Sequence, residues 1–423
     1  MTTASTRHNS NARTHTPLLA WLLAGLATIG PFSIDTYLPS FPAIARDYAV
    51  DALYVQQTLS VYLASFALMT LFHGALSDSF GRRPVILVNL VVFVIASIGC
   101  VFAPSIETLL ACRALQGMSA GAGMVVGRAI IRDTYEGAPA QRLMSQVTML
   151  FSLAPAIAPV IGGMLHLAFG WKSIFVFLAV FGMLLWAGCA WRLPETLSPA
   201  DRQPFHPAPL FANYLKVCGS SRFAMLALAV SFNFAGFFIY IVSAPIVVYQ
   251  HLGLSESQFA WLFVPGIGGV VIGAWLSGRM AGRTTPERTV GIGFAIMALA
   301  AMASIVYHWL FPPGLPWTVL PLMVYSIGMA LSMPSITLLA LDLFPRNRGL
   351  VASVQGFTQS MMNAVLAGVI SPLVSSTQLS LAIAAAVFLT LGAVCWLNYM
   401  RLLARGRSAA DGLAGADGAD PRA

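Results

Sequence analysis

Long apolar stretches, separated by short polar connections, recur along almost the whole chain. Each has the length of about 20 residues that a helix needs to cross the apolar core of a bilayer. They fall at 17–40, 54–76, 85–104, 107–131, 142–168, 173–193, 221–250, 257–279, 289–311, 316–341, 349–373 and 378–400. The pattern therefore predicts an all-α integral membrane protein with twelve transmembrane helices.

Composition agrees with this class, because 58% of the 423 residues are hydrophobic and only 9% are charged. Soluble globular proteins carry roughly 25% charged residues. The net charge of +8 is unevenly placed: nearly all Lys and Arg lie at one end of the predicted spans, and the loops at the other end hold Arg46 and Lys172. Basic residues collect in cytoplasmic loops. We therefore expect both termini in the cytoplasm of a multi-pass inner-membrane protein, with no need for a nucleic-acid partner.

A Pro-rich polar connection near the midpoint divides six predicted spans from six. A weak internal repeat, Leu-Ser-Asp ending at Asp78 and Leu-Ser-Gly ending at Gly278, supports the division. Paired six-helix halves are typical of transporters. The predicted organisation is a disordered N-terminal tail 1–16, a first half 17–193, a central cytoplasmic loop 194–220, a second half 221–401 and a disordered C-terminal tail 402–423.

Residues for catalysis or metal binding are not grouped in the sequence. The five cysteines are odd in number and widely spaced, so no disulfide framework or zinc site is predicted. No phosphate-binding loop and no Gly-x-Ser-x-Gly motif occurs. We expect neither an enzyme nor a bound cofactor or metal; a membrane-embedded sensor that moves no ligand remains an alternative.

The connection between the second and third predicted spans reads Gly-Ala-Leu-Ser-Asp-Ser-Phe-Gly-Arg-Arg-Pro, from Gly74 to Pro84. It resembles the cytoplasmic loop motif of the major facilitator superfamily, although Ser79 stands where that family usually has a basic residue. Small glycines permit a tight turn and close helix contact. Arg82 is expected to pair with Asp133, and a plain basic loop is the alternative. The predicted conformational latch comprises Gly74, Asp78, Gly81, Arg82, Arg83 and Asp133.

Arg113 lies inside the fourth predicted span and is followed by Gln116-Gly117. Burying an arginine costs about 2.5–3.5 kcal/mol even on the lenient insertion scale. The segment resembles a second motif of the same superfamily, which implies a role for Arg113 in proton coupling. Snorkelling of the side chain to the nearby interface is the alternative.

The fifth predicted span contains two prolines and a glycine pair, Pro155, Pro159, Gly162 and Gly163. Pro159 removes a helix hydrogen bond, and the glycines permit close approach of a neighbouring helix. The segment resembles the motif that marks the antiporters of the superfamily, which implies a kinked helix in an exchanger.

The first predicted span ends in the pattern Asp-x-Tyr-x-Pro-x-x-Pro, which begins at Asp35. This pattern resembles the bicyclomycin-resistance (Bcr/CflA) subfamily of drug/proton antiporters. Asp35 is the only acid clearly within a predicted span, at a depth similar to that of Arg113. An apolar cavity disfavours the charged carboxylate and a nearby cation favours it, so Asp35 is predicted to carry the proton. A helix-end cap is the alternative, since the following prolines can end the helix.

Polar and aromatic side chains in other spans are candidates for a substrate cavity. They are Tyr37, Tyr62, Asn233, Tyr240, Gln355 and Gln359. Gln355, Gln359 and Asn363 share one helix face. Hydrogen bonding between helices is the alternative for the amides, and packing is the alternative for the tyrosines.

Together these features predict a multidrug efflux transporter. We expect it to exchange small amphipathic or apolar drugs for protons by alternating access, as a monomer, with the proton gradient as its energy source. Export of an endogenous metabolite, such as an amino acid or a peptide, is the alternative.

Overall fold

The computed structural model describes residues 17–135, 137–203, 207–344 and 348–417, and all regular elements in these ranges are helical. Twelve helical segments in this part of the chain are long and apolar enough to span a membrane, as predicted. They are α1 (Leu18–Tyr48), α2 (Ala52–Phe80), α3 (Arg82–Val101), α4 (Ile106–Thr134), α5 (Arg142–Phe169), α6 (Lys172–Arg192), α7 (Ser221–Val242), α8 (Glu256–Met280), α9 (Pro286–Leu310), α10 (Leu320–Asp342), α11 (Arg348–Val374) and α12 (Gln378–Ala404).

The first span is longer than its apolar pattern indicates. Its main helix ends at Asp35, a 3-10 turn covers Leu38–Ser40, and a short helix continues over Phe41–Tyr48. Pro39 and Pro42 do not end the span, because each lies at the start of a helical segment, where a missing N–H group is tolerated.

Two segments outside the predicted spans are also helical. A short helix, Pro207–Cys218, lies within the central loop. The last helix runs from Gln378 to Asp417, so the structure differs from the disordered tail expected over 402–423. The tail begins with Leu, Ala and Arg, which are strong helix formers and extend the preceding helix. Residues 1–16 and 418–423, also expected to be disordered, lie outside the described residues.

Within each set of six spans the helices pack mainly on one another. In the first set α1 packs on α5 and α2 on α4, and in the second set α7 packs on α12 and α9 on α10. Gly293 of α9 meets Gly328 of α10, where a Cβ on either glycine would lie 2.5–2.6 Å from the carbonyl oxygen of the other. The two sets contact each other through α2 with α11 and through α5 with α8.

The bundle has two chemically different ends. We call the end that carries the Gly81–Pro84 connection the basic end. The opposite end, where the main helix of α1 stops at Asp35, is called the Asp35 end.

Candidate functional site

Asp35 is buried inside the first set of spans. Its residue is only 4% exposed, and it receives no hydrogen bond or ion pair from the described residues. The adjoining backbone is tightly covered, because a Cβ on Gly162 of α5 would collide with the carbonyl oxygen of Thr36. A buried ionised carboxylate without a partner is costly, and protonation removes that charge.

Arg113 is fully buried and is held by polar and aromatic groups. Its Nη1 donates to Oε1 of Gln116, whose Nε2 donates to Oγ of Ser97 at 2.8 Å. Its guanidinium carbon lies 4.7 Å from the ring centroid of Tyr37 and 4.4 Å from that of Tyr62. Aromatic faces attract a desolvated cation, so these contacts offset part of the cost of burial.

Asp35 and Arg113 form no ion pair in the described structure. Tyr62 lies within electrostatic range of both charged groups. Its hydroxyl points towards α1, 3.5 Å from the carbonyl oxygen of Gly30. Nε and Nη2 of Arg113 have no hydrogen-bond partner in the described part of the chain. Arg113 therefore has N–H donors that are free to form a hydrogen bond with another group.

The glycine pair of α5 contacts both sets of spans. Pro155 and Pro159 lie inside one uninterrupted helix, Gly137–Phe169. Gly162 faces Thr36, beside Asp35, and a Cβ on Gly163 would lie 2.5 Å from the carbonyl oxygen of Glu256 at the start of α8. This close packing requires the small residues that the sequence places here.

The charge cluster at the basic end contains the predicted ion pair between Arg82 and Asp133. Nε of Arg82 donates to Oδ2 of Asp133 at 3.0 Å, and Nη1 of Arg82 pairs with Asp78. Gly81 adopts a φ of 100°, which favours glycine. Arg83 donates instead to the carbonyl oxygen of Ala190 at the end of α6.

Glu195 belongs to the same cluster and was not identified from the sequence. Its carboxylate accepts from the backbone N–H groups of Arg82 at 3.0 Å and Arg83 at 3.3 Å, at the start of α3. An anion is favoured there by the unpaired amides of the helix. Thr196 donates to Asp133 at 2.9 Å. The central loop is thus attached to the ends of α3 and α4.

The two sets of spans are joined by hydrogen bonds at the Asp35 end. They run from Gln56 Nε2 to Ser371 Oγ (2.7 Å), from Gln57 Nε2 to the Gly368 oxygen (2.7 Å), from Ser60 Oγ to the Ala364 oxygen (2.8 Å) and from Tyr249 OH to the Pro39 oxygen (2.6 Å). The first three join α2 to α11. We call this group of bonds the seal.

The basic end is different, because a cleft of about 680 Å³ opens there between α4, α5 and α8. Its walls include Ile131, Met144 and Thr148 from the first set and Val270 and Ala274 from the second. Spaces of 300–1,000 Å³ suit drug-sized ligands.

The helix in the central loop also spans the boundary between the two sets. The Tyr214 hydroxyl donates to the carbonyl oxygen of Leu71 in α2 at 2.6 Å. Burial raises the pKa of Tyr214 to about 12, so this hydroxyl stays protonated and remains a donor at neutral pH.

The candidate cavity residues are largely enclosed in this structure. Tyr37, Tyr62, Asn233, Tyr240 and Gln355 are buried, and Gln359 is partly buried. Gln355 donates to Thr337 of α10 at 2.9 Å, which is a bond between helices. Asn363, on the same face, is also buried. Contact of any of them with a substrate stays a prediction.

No cluster of three or more His, Cys, Asp or Glu residues in the described ranges is arranged to hold a metal ion.

Comparison with known proteins gives consistent matches over most of the chain. Residues 23–372 match the family model of the Major Facilitator Superfamily. Multidrug resistance protein D of Escherichia coli is 30% identical, over 90% of this chain and 95% of its own length. A bicyclomycin resistance protein homolog of Haemophilus influenzae is 28% identical, over 90% and 94%. The crystal structure of a bacterial homolog to the human lysosomal transporter Spinster has a TM-score of 0.69 at 18% identity and covers 92% of this chain and 98% of its own.

Proposed function

Because the chain belongs to the Major Facilitator Superfamily, and resembles multidrug and bicyclomycin resistance proteins, we propose that it exports small amphipathic or apolar drugs in exchange for protons. The burial of Asp35 is the observation that supports proton exchange. This acid receives no hydrogen bond or ion pair from the described residues. Such a group is driven towards its neutral form while it is enclosed and can ionise when water or a ligand changes its surroundings.

Placement in the membrane follows from the charge distribution. The basic end faces the cytoplasm, and the Asp35 end faces the outside of the inner membrane. The excess of Arg at one end supports this orientation.

In the proposed cycle the carrier returns to the cytoplasmic side with Asp35 protonated. In the arrangement described here, the closed seal and the cleft at the basic end support a state that is open to the cytoplasm. A drug that enters the cleft displaces the proton, and rocking of the two halves then opens the Asp35 end. Protonation of Asp35 from outside favours drug release, so drug and proton bind antagonistically and reciprocally.

Arg113 adjusts this exchange. Its positive charge favours ionised Asp35, while the rings of Tyr37 and Tyr62 hold the guanidinium in place without an acid. The cluster of Arg82, Asp133 and Glu195 acts as the latch that stabilises one arrangement of the cytoplasmic ends.

Flux measurements in proteoliposomes test this function. A compound selected by a growth-protection panel is exchanged with and without an imposed pH gradient. We expect the gradient to accelerate export by the unaltered protein and by Asp51→Asn, which removes an exposed acid at the same end, but not by Asp35→Asn. Equal acceleration of export by Asp35→Asn would overturn the assignment of the proton site.

A further inference from the structure

Arg128, in the second half of α4, is a charged residue inside a span with no role in the proposed proton exchange. It lies six residues before Thr134, the last residue of α4, which is about 9 Å along the helix. The side chain is exposed although residues of three spans surround it. It lines a recess with Leu23, Ala27, Met144, Val147, Thr148 and Phe151, from α1 and α5.

No acid among the described residues forms an ion pair with Arg128. The charged group that acts on it electrostatically is another cation, Arg132, one helical turn away. The exposed guanidinium has donors open to the space that it lines, and a guanidinium binds oxyanions through such donors. Arg128 therefore favours an anion that the protein itself does not provide.

The recess adjoins the cleft at the basic end. Met144 and Thr148 line both spaces, and Arg132 lines the cleft. No Asp or Glu is present among the described residues that line either space. A ligand in the cleft thus meets mostly apolar walls and positive charge only.

We propose that the preferred substrate is an amphipathic organic anion whose carboxylate, or similar oxyanion, binds Arg128 while its apolar body lies in the cleft. This inference rests on the proposed export function and specifies its substrate class. Arginine presents a planar set of donors that matches a carboxylate with two hydrogen bonds. A lipophilic cation gains the same apolar contacts but is repelled by Arg128 and Arg132.

Position along α1 separates this site from the proton site. Ala27 of the recess lies eight residues before Asp35, which is about 12 Å of helix. Substrate and proton therefore bind at different depths, and their antagonism is transmitted through α1 and α5 rather than by competition for one group. When one monovalent anion leaves and one proton enters, the net result is the inward movement of two positive charges. An inside-negative membrane potential therefore accelerates the exchange.

A competing explanation for a charged residue at this position of a membrane span is that the Arg128 side chain extends to the lipid headgroups. In that case the side chain would contact lipid and make no distinction between substrates of different charge. The two explanations are distinguished by measuring whether the protein binds an anionic compound more tightly than a neutral or cationic one.

The test uses three probes that share a biphenyl body: biphenyl-4-carboxylate, biphenyl-4-carboxamide and biphenyl-4-yl-trimethylammonium. Dissociation constants are measured by calorimetry with the full-length purified protein in detergent. We expect the carboxylate to bind on the order of tenfold or more tightly than the carboxamide, and the ammonium to bind most weakly. Arg128→Gln should reduce the carboxylate preference to about twofold or less, and Arg128→Lys should retain part of it.

Two further variants serve as a control for loss of charge and as a reversal of the charge in the recess. Arg192→Gln removes a charge at the same end, where Arg192 lies over the ring of Trp191 at 4.1 Å, and should leave the preference intact. Thr148→Glu places an acid in the recess and should reverse the preference towards the ammonium even if Arg128→Gln fails to fold.

An unaltered protein that binds the ammonium as well as the carboxylate, or that fails to bind the carboxylate, overturns the inference. So does a preference that survives Arg128→Gln. Proton-coupled flux of other compounds would still stand in those cases, whereas loss of coupled flux for every compound would overturn the proposed function itself.

Discussion

Asp35 and Arg113, two buried charged residues of the first half, are accommodated in different ways. Arg113 has a hydrogen bond and two aromatic faces, whereas Asp35 has neither a hydrogen bond nor an ion pair from the described residues. This difference is what the proposed exchange requires, with a variable charge on Asp35 and a constant charge on Arg113.

The aromatic contacts of Arg113 can be tested at Tyr62. Tyr62→Leu removes the ring 4.4 Å from the guanidinium, and a desolvated cation–π contact contributes about 2 kcal/mol. We expect a lower melting temperature and slower proton-driven export. Tyr62→Phe keeps the ring and should stay near the unaltered protein in both measurements. Equal effects of the two changes would show that the hydroxyl, rather than the ring, is what matters.

Contacts between individual residues are predictable from the sequence where a motif contains both the residues and their spacing. The pair of Arg82 with Asp133 was expected because both flank the same end of neighbouring spans. Glu195 was missed because it is 113 positions from Arg82 and only the fold brings it to the start of α3. Arg128 was also overlooked, since position in an apolar run does not show which spans surround a side chain.

Among the helices, α5 connects the acid to the boundary between the halves. Gly162 packs beside Asp35 and Gly163 packs on the start of α8. We therefore expect a change in the conformation of α1 near Asp35 to displace α5, and through it the contact with α8.

Alanine at these glycines tests the contact. Gly162→Ala and Gly163→Ala place a methyl group against backbone oxygen, and overpacking of this kind costs roughly 1–3 kcal/mol. We expect either variant to slow transport several-fold in flux assays. Gly278→Ala, in α8 with nothing within 4 Å of the added Cβ, is the matched control. Transport as fast in Gly162→Ala as in Gly278→Ala would contradict the coupling role.

Helix number was predictable because apolar length directly reflects bilayer thickness, but helix ends were not. Prolines that suggested a stop near residue 40 instead start the 3-10 turn and the short helix to Tyr48. The polar composition after residue 401 suggested disorder, yet helix propensity carries the backbone to Asp417.

For the whole molecule, the seal at the Asp35 end and the cleft at the basic end correspond to one access state of the proposed cycle. Alternating access requires the seal to open in every cycle. Its bonds join neutral groups, each with a net contribution of about 1 kcal/mol, so a modest change in binding free energy can break them.

A reversible cross-link tests whether the seal must open. Ser60→Cys with Gly368→Cys, in a protein whose five native cysteines are replaced, should form a disulfide after a small shift, because a Cβ on Gly368 would lie 3.0 Å from the Cβ of Ser60. We expect oxidation to stop transport and reduction to restore it. The control pair, Thr284→Cys with Thr289→Cys, replaces side chains whose Oγ1 atoms lie 2.9 Å apart within the second half and should leave transport active. Undiminished transport by the oxidised Ser60–Gly368 pair would rule out alternating access at this seal.

Substrate-triggered proton release measures the central exchange directly. The purified protein, in weakly buffered detergent solution, receives a compound that protects cells in the growth panel, and the pH change is compared with the amount bound. Unaltered protein and Asp51→Asn should release protons on binding, while Asp35→Asn binds the compound and releases none. Proton release by Asp35→Asn equal to that of the unaltered protein, per molecule bound, would contradict the account.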